Sequence, residues 1–371
     1  MTIPERLEDK LARRGGVIEL LRVPAALFGA LARARGALYD RGVLPARRVD
    51  VPIVCVGNLT TGGTGKTPLV CYLAHWFERR GQRVGILSRG YRSEKLEADQ
   101  AGAALAGRAG DEARLYAEAV PFAECLQDAN RLRGARALAE RGVDVVVLDD
   151  GFQHRRLARD LDLVLLDATR PFGLPADPAT GRAVRAALPR GLLREAPAAL
   201  SRAGAIVLTR IDQAEPRALE ELRAELQELF PQIPRIECRH RPAALRDGGG
   251  ERHDLGELKG REVDLISAIG HPAAFEASVE STGARIREHR RYPDHYVFQG
   301  EDVRGLGANG VPVVTTAKDA VKLGTLLPAA LIFEVELEIS SGGPVLEALL
   351  ESLPPGRARR LRQSLHEGLH G

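Results

Sequence analysis

Aromatic residues make up only 4% of the 371-residue chain, too few for the stacking platforms with which proteins grip single-stranded nucleic acid. A charge excess of one sign is missing as well. The 53 basic side chains face 50 acidic ones, a net charge of +3, which gives no case for a nucleic-acid partner. The four cysteines, Cys55, Cys71, Cys125 and Cys238, are widely spaced and form no C-x-x-C pair. Neither a zinc site nor a disulfide framework is expected from them, and reduced thiols in the cytosol fit best. No window of 18 uncharged apolar residues exists, which excludes a transmembrane helix. The stretch from Val17 to Tyr39 comes nearest, but Glu19, Arg22, Pro24, Arg33 and Arg35 interrupt it. Those charges, and the lack of a small-residue cleavage site, also exclude a clean signal peptide. What remains there is a basic amphipathic helix, either docked on the rest of the protein or facing a membrane.

What is present reads as a globular protein of about two domains: 44% of residues are apolar and 28% charged. Continuous apolar runs at Ile53–Val56, Arg83–Leu87, Val143–Leu148, Leu161–Leu166 and Ala205–Leu208 alternate with helical patterns at Leu69–Arg79, Glu112–Ala119 and Asn130–Arg141. Such alternation predicts a parallel sheet covered by helices on both faces, with ligands at the carboxyl ends of its strands. Residues 170–197 predict a long Pro/Gly/Arg-rich loop near that edge, and Glu215–Phe230 another helix. Composition shifts at Pro231–Gly260, which predicts a linker or hairpin with its tip at Gly248–Gly250. A second α/β unit follows, and the tail beyond Leu353 is basic. The expected division is an amphipathic segment over 1–45, a nucleotide-binding domain over 46–235, a smaller α/β domain over 236–350 and a tail over 351–371.

The segment Val51 to Pro68 carries the sharpest signal. A strand-type run empties into Thr60, Thr61, Gly62, Gly63, Thr64, Gly65, Lys66 and Thr67, and a helical pattern begins at once. A glycine loop feeding a helix N-terminus is an anion cradle: loop amides point inward and the helix dipole favours negative charge. Lys66 is placed to reach outer phosphates and Thr67 to bind Mg²⁺. The general phosphate-loop pattern wants glycine where this chain has Thr60. Downstream, a buried-strand pattern ends in Asp149 and Asp150, followed by Gln153 and His154. A carboxylate there meets the metal needed to neutralise β/γ-phosphate charge. Arg89 and Arg92 end another strand with planar forks suited to phosphate. Asp111 and Glu112 stand at a helix start, where Asp111 is either an N-cap or a general base. His295, in the run from Arg291 to Tyr296, is either a proton relay or a turn residue.

These pieces, in this order from about residue 15 to about residue 340, resemble the tetraacyldisaccharide 4′-kinase family of bacterial lipid A biosynthesis. The resemblance rests on the phosphate loop beginning at Thr60, the S-R-G-Y-R run ending at Arg92, G-D-E at 110–112, D-D-G-F-Q-H at 149–154 and P-D-H at 293–295. Thr60 looks like this family's own form of the loop. The 175–195 loop departs from the family, with extra residues around Asp177–Arg185 and Pro189-Arg190-Gly191 where the family tends to have P-A-G. The resemblance implies a P-loop NTPase-type parallel sheet flanked by helices, with a second smaller α/β domain and an N-terminal amphipathic helix. It implies ATP and Mg²⁺, an acylated disaccharide lipid as acceptor, and a peripheral place on the cytoplasmic face of the bacterial inner membrane. Residues 61–67 would hold the β/γ-phosphates. Thr67, Asp149 or Asp150, and Glu112 would hold the metal. Asp111 would take the proton from the 4′-hydroxyl with His295, from a different domain, as its partner. Arg131, Arg194, Gln153, His154, Arg89 and Arg92 are weaker candidates for substrate contact or charge stabilisation.

Two other classes compete. A regulatory or metallochaperone GTPase would explain the loop, and Thr209-Arg210-Ile211-Asp212 is a near miss of the guanine-reading [NT]-K-x-D, with arginine for lysine. It gives no reason for the run from Asp149 to His154. A membrane adaptor with a relict phosphate loop leaves Asp111, Asp149, Asp150 and His295 without a role.

Overall fold

The apolar runs of the N-terminal half become parallel strands in the structure, a computed structural model that describes residues 7–90, 111–294 and 296–356. The strands are β1 (Ile53–Asn58), β2 (Val84–Ser88), β3 (Glu124–Gln127), β4 (Val145–Asp149), β5 (Leu161–Asp167), β6 (Ala205–Thr209) and β7 (Arg235–Arg246), of which β3 and β7 come from more polar stretches and not from those runs. Their order across the sheet is β7-β6-β5-β1-β4-β2-β3, every neighbour parallel. In β1, β2, β4 and β6 every residue is buried, as a parallel sheet covered on both faces requires. The helices α1 (Leu7–Ala12), α2 (Arg22–Asp40), α3 (Lys66–Glu78), α4 (Asp111–Ala119), α5 (Arg131–Glu140) and α6 (Pro216–Leu229) lie among them in the chain. Helix α6 buries Leu219, Leu222 and Leu226, the three-and-four spacing of one helix face. Its Glu215 N-cap accepts from two backbone amides of the first turn.

The chain divides into two compact units. The first takes Met1–Arg89, Phe122–Arg239 and Ile339–Gly371; the second takes Gly90–Pro121 and His240–Glu338. In the second unit, β8 (Arg252–His253) pairs antiparallel with the far end of β7, while β9 (Glu262–Ser267), β10 (Arg285–Arg291), β11 (Val313–Thr316) and β12 (Leu331–Ser341) follow the order β10-β9-β11-β12. Helices α7 (Pro272–Glu280) and α8 (Ala317–Leu323) belong to it, and its core gathers Leu245, Leu258, Val263, Leu265, Phe275 and Phe333. Helix α9 (Gly343–Glu351) returns to the first unit.

Three expectations need correction. Pro231–Gly260 is not a linker: it holds the twelve-residue strand β7, and only the hairpin tip around Gly248–Gly250 matches. The nucleotide-binding domain does not run unbroken over 46–235, because 90–121 groups with the second unit and 339–356 with the first. The backbone of Asp111 therefore falls in the second unit, not in the nucleotide-binding domain, while His295 lies outside the described residues. Strands β3 and β10 escaped the sequence reading because both are polar: β3 is only half buried, and β10 reads Arg-Ile-Arg-Glu-His-Arg-Arg. Each lies at one end of the strand order, where an apolar run is not demanded. The basic tail beyond residue 356 lies outside the described residues.

Candidate active site

Strands β1 and β4 are neighbours, with Val56 opposite Asp149. The chain thus leaves β1 into the glycine loop beside the point where β4 ends in its two carboxylates. Gly65 adopts φ +86° as the residue before α3, and Gly62 adopts φ +113°, backbone that a side chain at either position would strain. Thr60 sits differently. It forms an antiparallel bridge with Leu193, and the Thr61 amide donates to the Leu192 carbonyl at 2.9 Å. That extended, buried backbone suits a β-branched residue, which explains threonine where the general pattern has glycine. Gly173, at φ +91°, packs against Thr60 and Leu192 so closely that a Cβ would lie 2.9 Å from Leu192 and 3.2 Å from Thr60.

Asn58 is the hub. It is fully buried at the end of β1. Its carbonyl accepts from Gln153 Nε2 at 3.0 Å and Arg194 Nη2 at 3.3 Å. Its side-chain oxygen accepts from Lys66 Nζ at 3.4 Å and from Arg194, and its Nδ2 donates to Thr60 Oγ1 at 3.4 Å. Arg194 also grips Asp150 with both terminal nitrogens, at 2.9 and 2.7 Å, and Lys66 Nζ stands 3.7 Å from the same carboxylate. Asp150 itself adopts φ +52°, its amide donating to the Val56 carbonyl at 2.9 Å. Burial pushes the Asp150 carboxyl up, but Lys66 and Arg194 outweigh it and hold the group well below the usual carboxylate range.

Asp149 is buried, and its charge raises the Cys71 thiol on α3, although burial is the larger cause of that shift to about 12. Cys71 and Thr67 are four residues apart on one helix, hence on one face. Helix α3, which carries Thr67 in its first turn, packs against β4, the strand that Asp149 ends. Arg131 begins α5 and is buried, donating to the Asp128 carbonyl at 2.9 Å; its charge bears on both Asp150 and His154. Burial lowers His154 to about 4, helped by Arg131, Arg35, Arg159 and Arg156, so the imidazole is neutral at physiological pH. Arg89 is exposed just beyond β2 and joins none of these contacts. Arg92 and His295, and the side chains of Asp111 and Glu112, lie outside the described residues.

The sequence reading missed Asn58 and the clamp behind the loop. Thr209 Oγ1 donates to the Thr64 carbonyl at 2.9 Å, and Arg210 donates to the Gly63 carbonyl at 3.1 Å while pairing with Asp167. Arg210 stands at φ +54° to do so. The signal available was its place directly after a buried strand in the same sheet. Thr209 and Arg210, weighed as part of a guanine-reading motif, instead brace the glycine loop through the Thr64 and Gly63 carbonyls.

The N-terminal segment is docked on the first unit. Leu11 packs with Leu174 and Val184, with Ile18 and Leu21 beside them. Arg190, only 1% exposed, donates to the carbonyls of Leu11 at 2.6 Å and Arg13 at 2.9 Å and pairs with Glu19 at 2.7 Å. The atypical 175–195 loop is thus the seat of this segment. The opposite side stays open: Val17, Leu20, Val23, Leu27 and Leu31 are each more than 60% exposed. No described helix is long and apolar enough to cross a membrane.

Residues 17–354 match the LpxK family, tetraacyldisaccharide-1-P 4′-kinase. The chain belongs to that family. It is 44% identical over 347 residues to the tetraacyldisaccharide 4′-kinase of Anaeromyxobacter dehalogenans strain 2CP-C, covering 89% of each chain. It is 35% identical over 349 residues to that of Geobacter sulfurreducens, covering 90% of this chain and 93% of the relative. Among solved structures, the "apo" form of LpxK from Aquifex aeolicus in complex with ATP aligns with a TM-score of 0.68 and 28% identity over 91% of this chain and 99% of that one. A member of this family is a kinase, and the α/β sheet agrees with the solved family structure. The regulatory GTPase reading is not favoured.

Proposed function

We propose that this tetraacyldisaccharide 4′-kinase family member transfers the γ-phosphoryl group of ATP to the 4′-hydroxyl of a tetraacyl glucosamine disaccharide 1-phosphate, using the cluster around Asn58. The observation that carries the reading is the convergence of Lys66 and Arg194 on both Asn58 and Asp150, next to a glycine loop at a helix N-terminus. The amides of residues 61–67 cradle the β/γ-phosphates and Lys66 supplies a cation to them. Asn58 and Asp150 position that lysine.

The donor set fits Mg²⁺. Asp149 is a buried carboxylate at the end of β4, and Thr67 stands in the first turn of the helix packed on that strand, hard-oxygen donors of the kind this ion takes. Thr67 and Asp149 would hold the ion, with Glu112 as a further candidate, and when bound it neutralises β/γ-phosphate charge. Asp150, already gripped by Arg194, is better suited to positioning Lys66 and Arg194 than to direct ligation. Asp111, partnered by His295, is the proposed base. The 4′-oxygen attacks the γ-phosphorus, its proton passes to Asp111, and the bond to the bridging oxygen breaks with its electron pair leaving on ADP. Arg131 and neutral His154, in a cluster of arginines, suit contact with an anionic acceptor, and Gln153 holds the strand end; Arg89 and Arg92 are weaker candidates for phosphate contact.

The exposed apolar side chains of the N-terminal segment support a peripheral place on the inner membrane's cytoplasmic face, where a four-chain lipid resides. Each such side chain gains roughly 2 kcal/mol on leaving water, enough in combination to hold the segment at a bilayer surface. Incubation with labelled ATP and a tetraacyldisaccharide 1-phosphate tests the reaction. Appearance of the 1,4′-bisphosphate is expected; ATP turnover without a phosphorylated lipid would overturn the assignment.

A further inference from the structure

The first unit contains a cleft of about 840 Å³ whose lining includes none of Asn58, Lys66, Asp150 and Arg194. Helix α2, the 168–197 loop and α6 enclose it, and its lining includes seven arginines against three glutamates. Most of that charge is already matched. Arg170 pairs with Glu8, Arg185 with Glu225, and Arg14 with Asp177, while Glu19 serves both Arg190 and Arg22. The lining glutamates are engaged too: Glu195 pairs with Arg202 and Glu221 with Arg217. Arg33 and Arg182 are left with no carboxylate partner among the described residues. Between the charges the wall is apolar, formed by Phe172, Leu174, Leu193 and Leu222. The cleft is therefore amphipathic, cationic by two unmatched guanidiniums, and large enough for a headgroup and the start of its acyl chains.

Helix α2 fixes what such a ligand is. Arg22, Ala26, Gly29 and Arg33 share one face and line the cleft, while Val23, Leu27 and Leu31 stand exposed further round the same helix. A bilayer meeting the exposed side chains has its headgroups beside the cleft. We propose that this cleft is an anionic-phospholipid site, in which Arg33 and Arg182 take the phosphodiester and the apolar wall takes the proximal acyl carbons. Guanidinium forks match phosphate oxygens, and a second lipid held there makes docking depend on membrane charge as well as on apolar insertion. The inference rests on the membrane-facing reading of α2.

Flotation of the full chain with vesicles of phosphatidylcholine alone, and of phosphatidylcholine with phosphatidylglycerol, separates the two ideas. The wild type is expected to bind both and to prefer the anionic vesicles. The double variant Arg33→Ala with Arg182→Ala should keep binding to neutral vesicles and lose roughly tenfold to thirtyfold of the anionic preference. Ala26→Trp fills the cleft without changing charge and should lose the preference as well. If Ala26→Trp retains it, diffuse surface charge is responsible and the cleft is overturned. Equal binding of wild type to both vesicles also overturns it, while leaving the membrane reading intact. Leu27→Asp with Leu31→Asp should abolish binding to both; failure of wild type to bind either vesicle defeats the membrane reading itself. If inorganic phosphate alone raises the melting temperature of wild type and not of the arginine variant, the ligand is a soluble anion and the lipid assignment falls.

Discussion

Arg194 donates from both terminal nitrogens to the two oxygens of Asp150, at 2.9 and 2.7 Å, and reaches Asn58 with the second of them. One planar fork thus ties the residue after β4 to the last residue of β1. A lysine carries the charge but not the fork. Arg194→Lys is therefore expected to lower kcat by about a hundredfold to a thousandfold, close to Arg194→Ala, by the scale of lost preorganised charge contacts. Steady-state kinetics checks this; full rescue by lysine would reduce Arg194 to a point charge.

Lys66→Ala should remove phosphorylation of the lipid almost entirely, by about a thousandfold or more in kcat, and weaken ATP binding. The same assay on near-normal turnover would defeat the phosphate-loop assignment.

Asp111→Ala should cut turnover by about a hundredfold to ten-thousandfold, the range of general base catalysis, while ATP still binds. Titration calorimetry with ATP separates the roles. Lost nucleotide binding would make Asp111 a metal ligand or a structural residue instead.

Arg190→Ala removes the guanidinium that holds Leu11, Arg13 and Glu19. Charge-assisted bonds of this kind contribute about 2 kcal/mol each, so the N-terminal segment should loosen well before the rest unfolds. Faster amide exchange across residues 17–40, with little change in β1 and β4, is the expected pattern. Protection unchanged in that segment would mean that the apolar contacts of Leu11, Ile18 and Leu21 suffice alone.

The imidazole of His154 is lowered to about 4, by burial first and by its arginine neighbours second. Folding thus favours its neutral form. Its contribution to stability is fully present above the unfolded pKa of about 6.5 and is lost as pH falls from there toward 4. His154→Gln should flatten the stability profile between about pH 6.5 and 4, measured by denaturant unfolding. An unchanged slope would place the titration on other groups.

Much of the nucleotide half was readable from local pattern alone. Continuous apolar strands, the glycine loop and the double carboxylate are short-range signals, because each follows from what a buried strand or a helix start demands of consecutive residues. Asn58 was not readable, since a lone asparagine at a strand end looks like any turn residue until Gln153 and Arg194 are brought to it from distant parts of the chain and Lys66 from across the glycine loop. Arg210 was misleading for the same reason: its spacing imitates a base-reading motif, and only its contacts with Gly63 and Asp167 reveal a brace.

The sequence by itself determined the strand–loop–helix cradle, the acid pair and the amphipathic character of the N-terminus, all of which depend on neighbours within a few residues. The tertiary structure decided which strands adjoin, that 90–121 groups with the second unit, and that the N-terminal segment is both docked and apolar on its open face. Those outcomes depend on long-range packing and on buried arginines such as Arg190, whose partners lie up to 179 residues away in the chain, and no local periodicity records such a pairing.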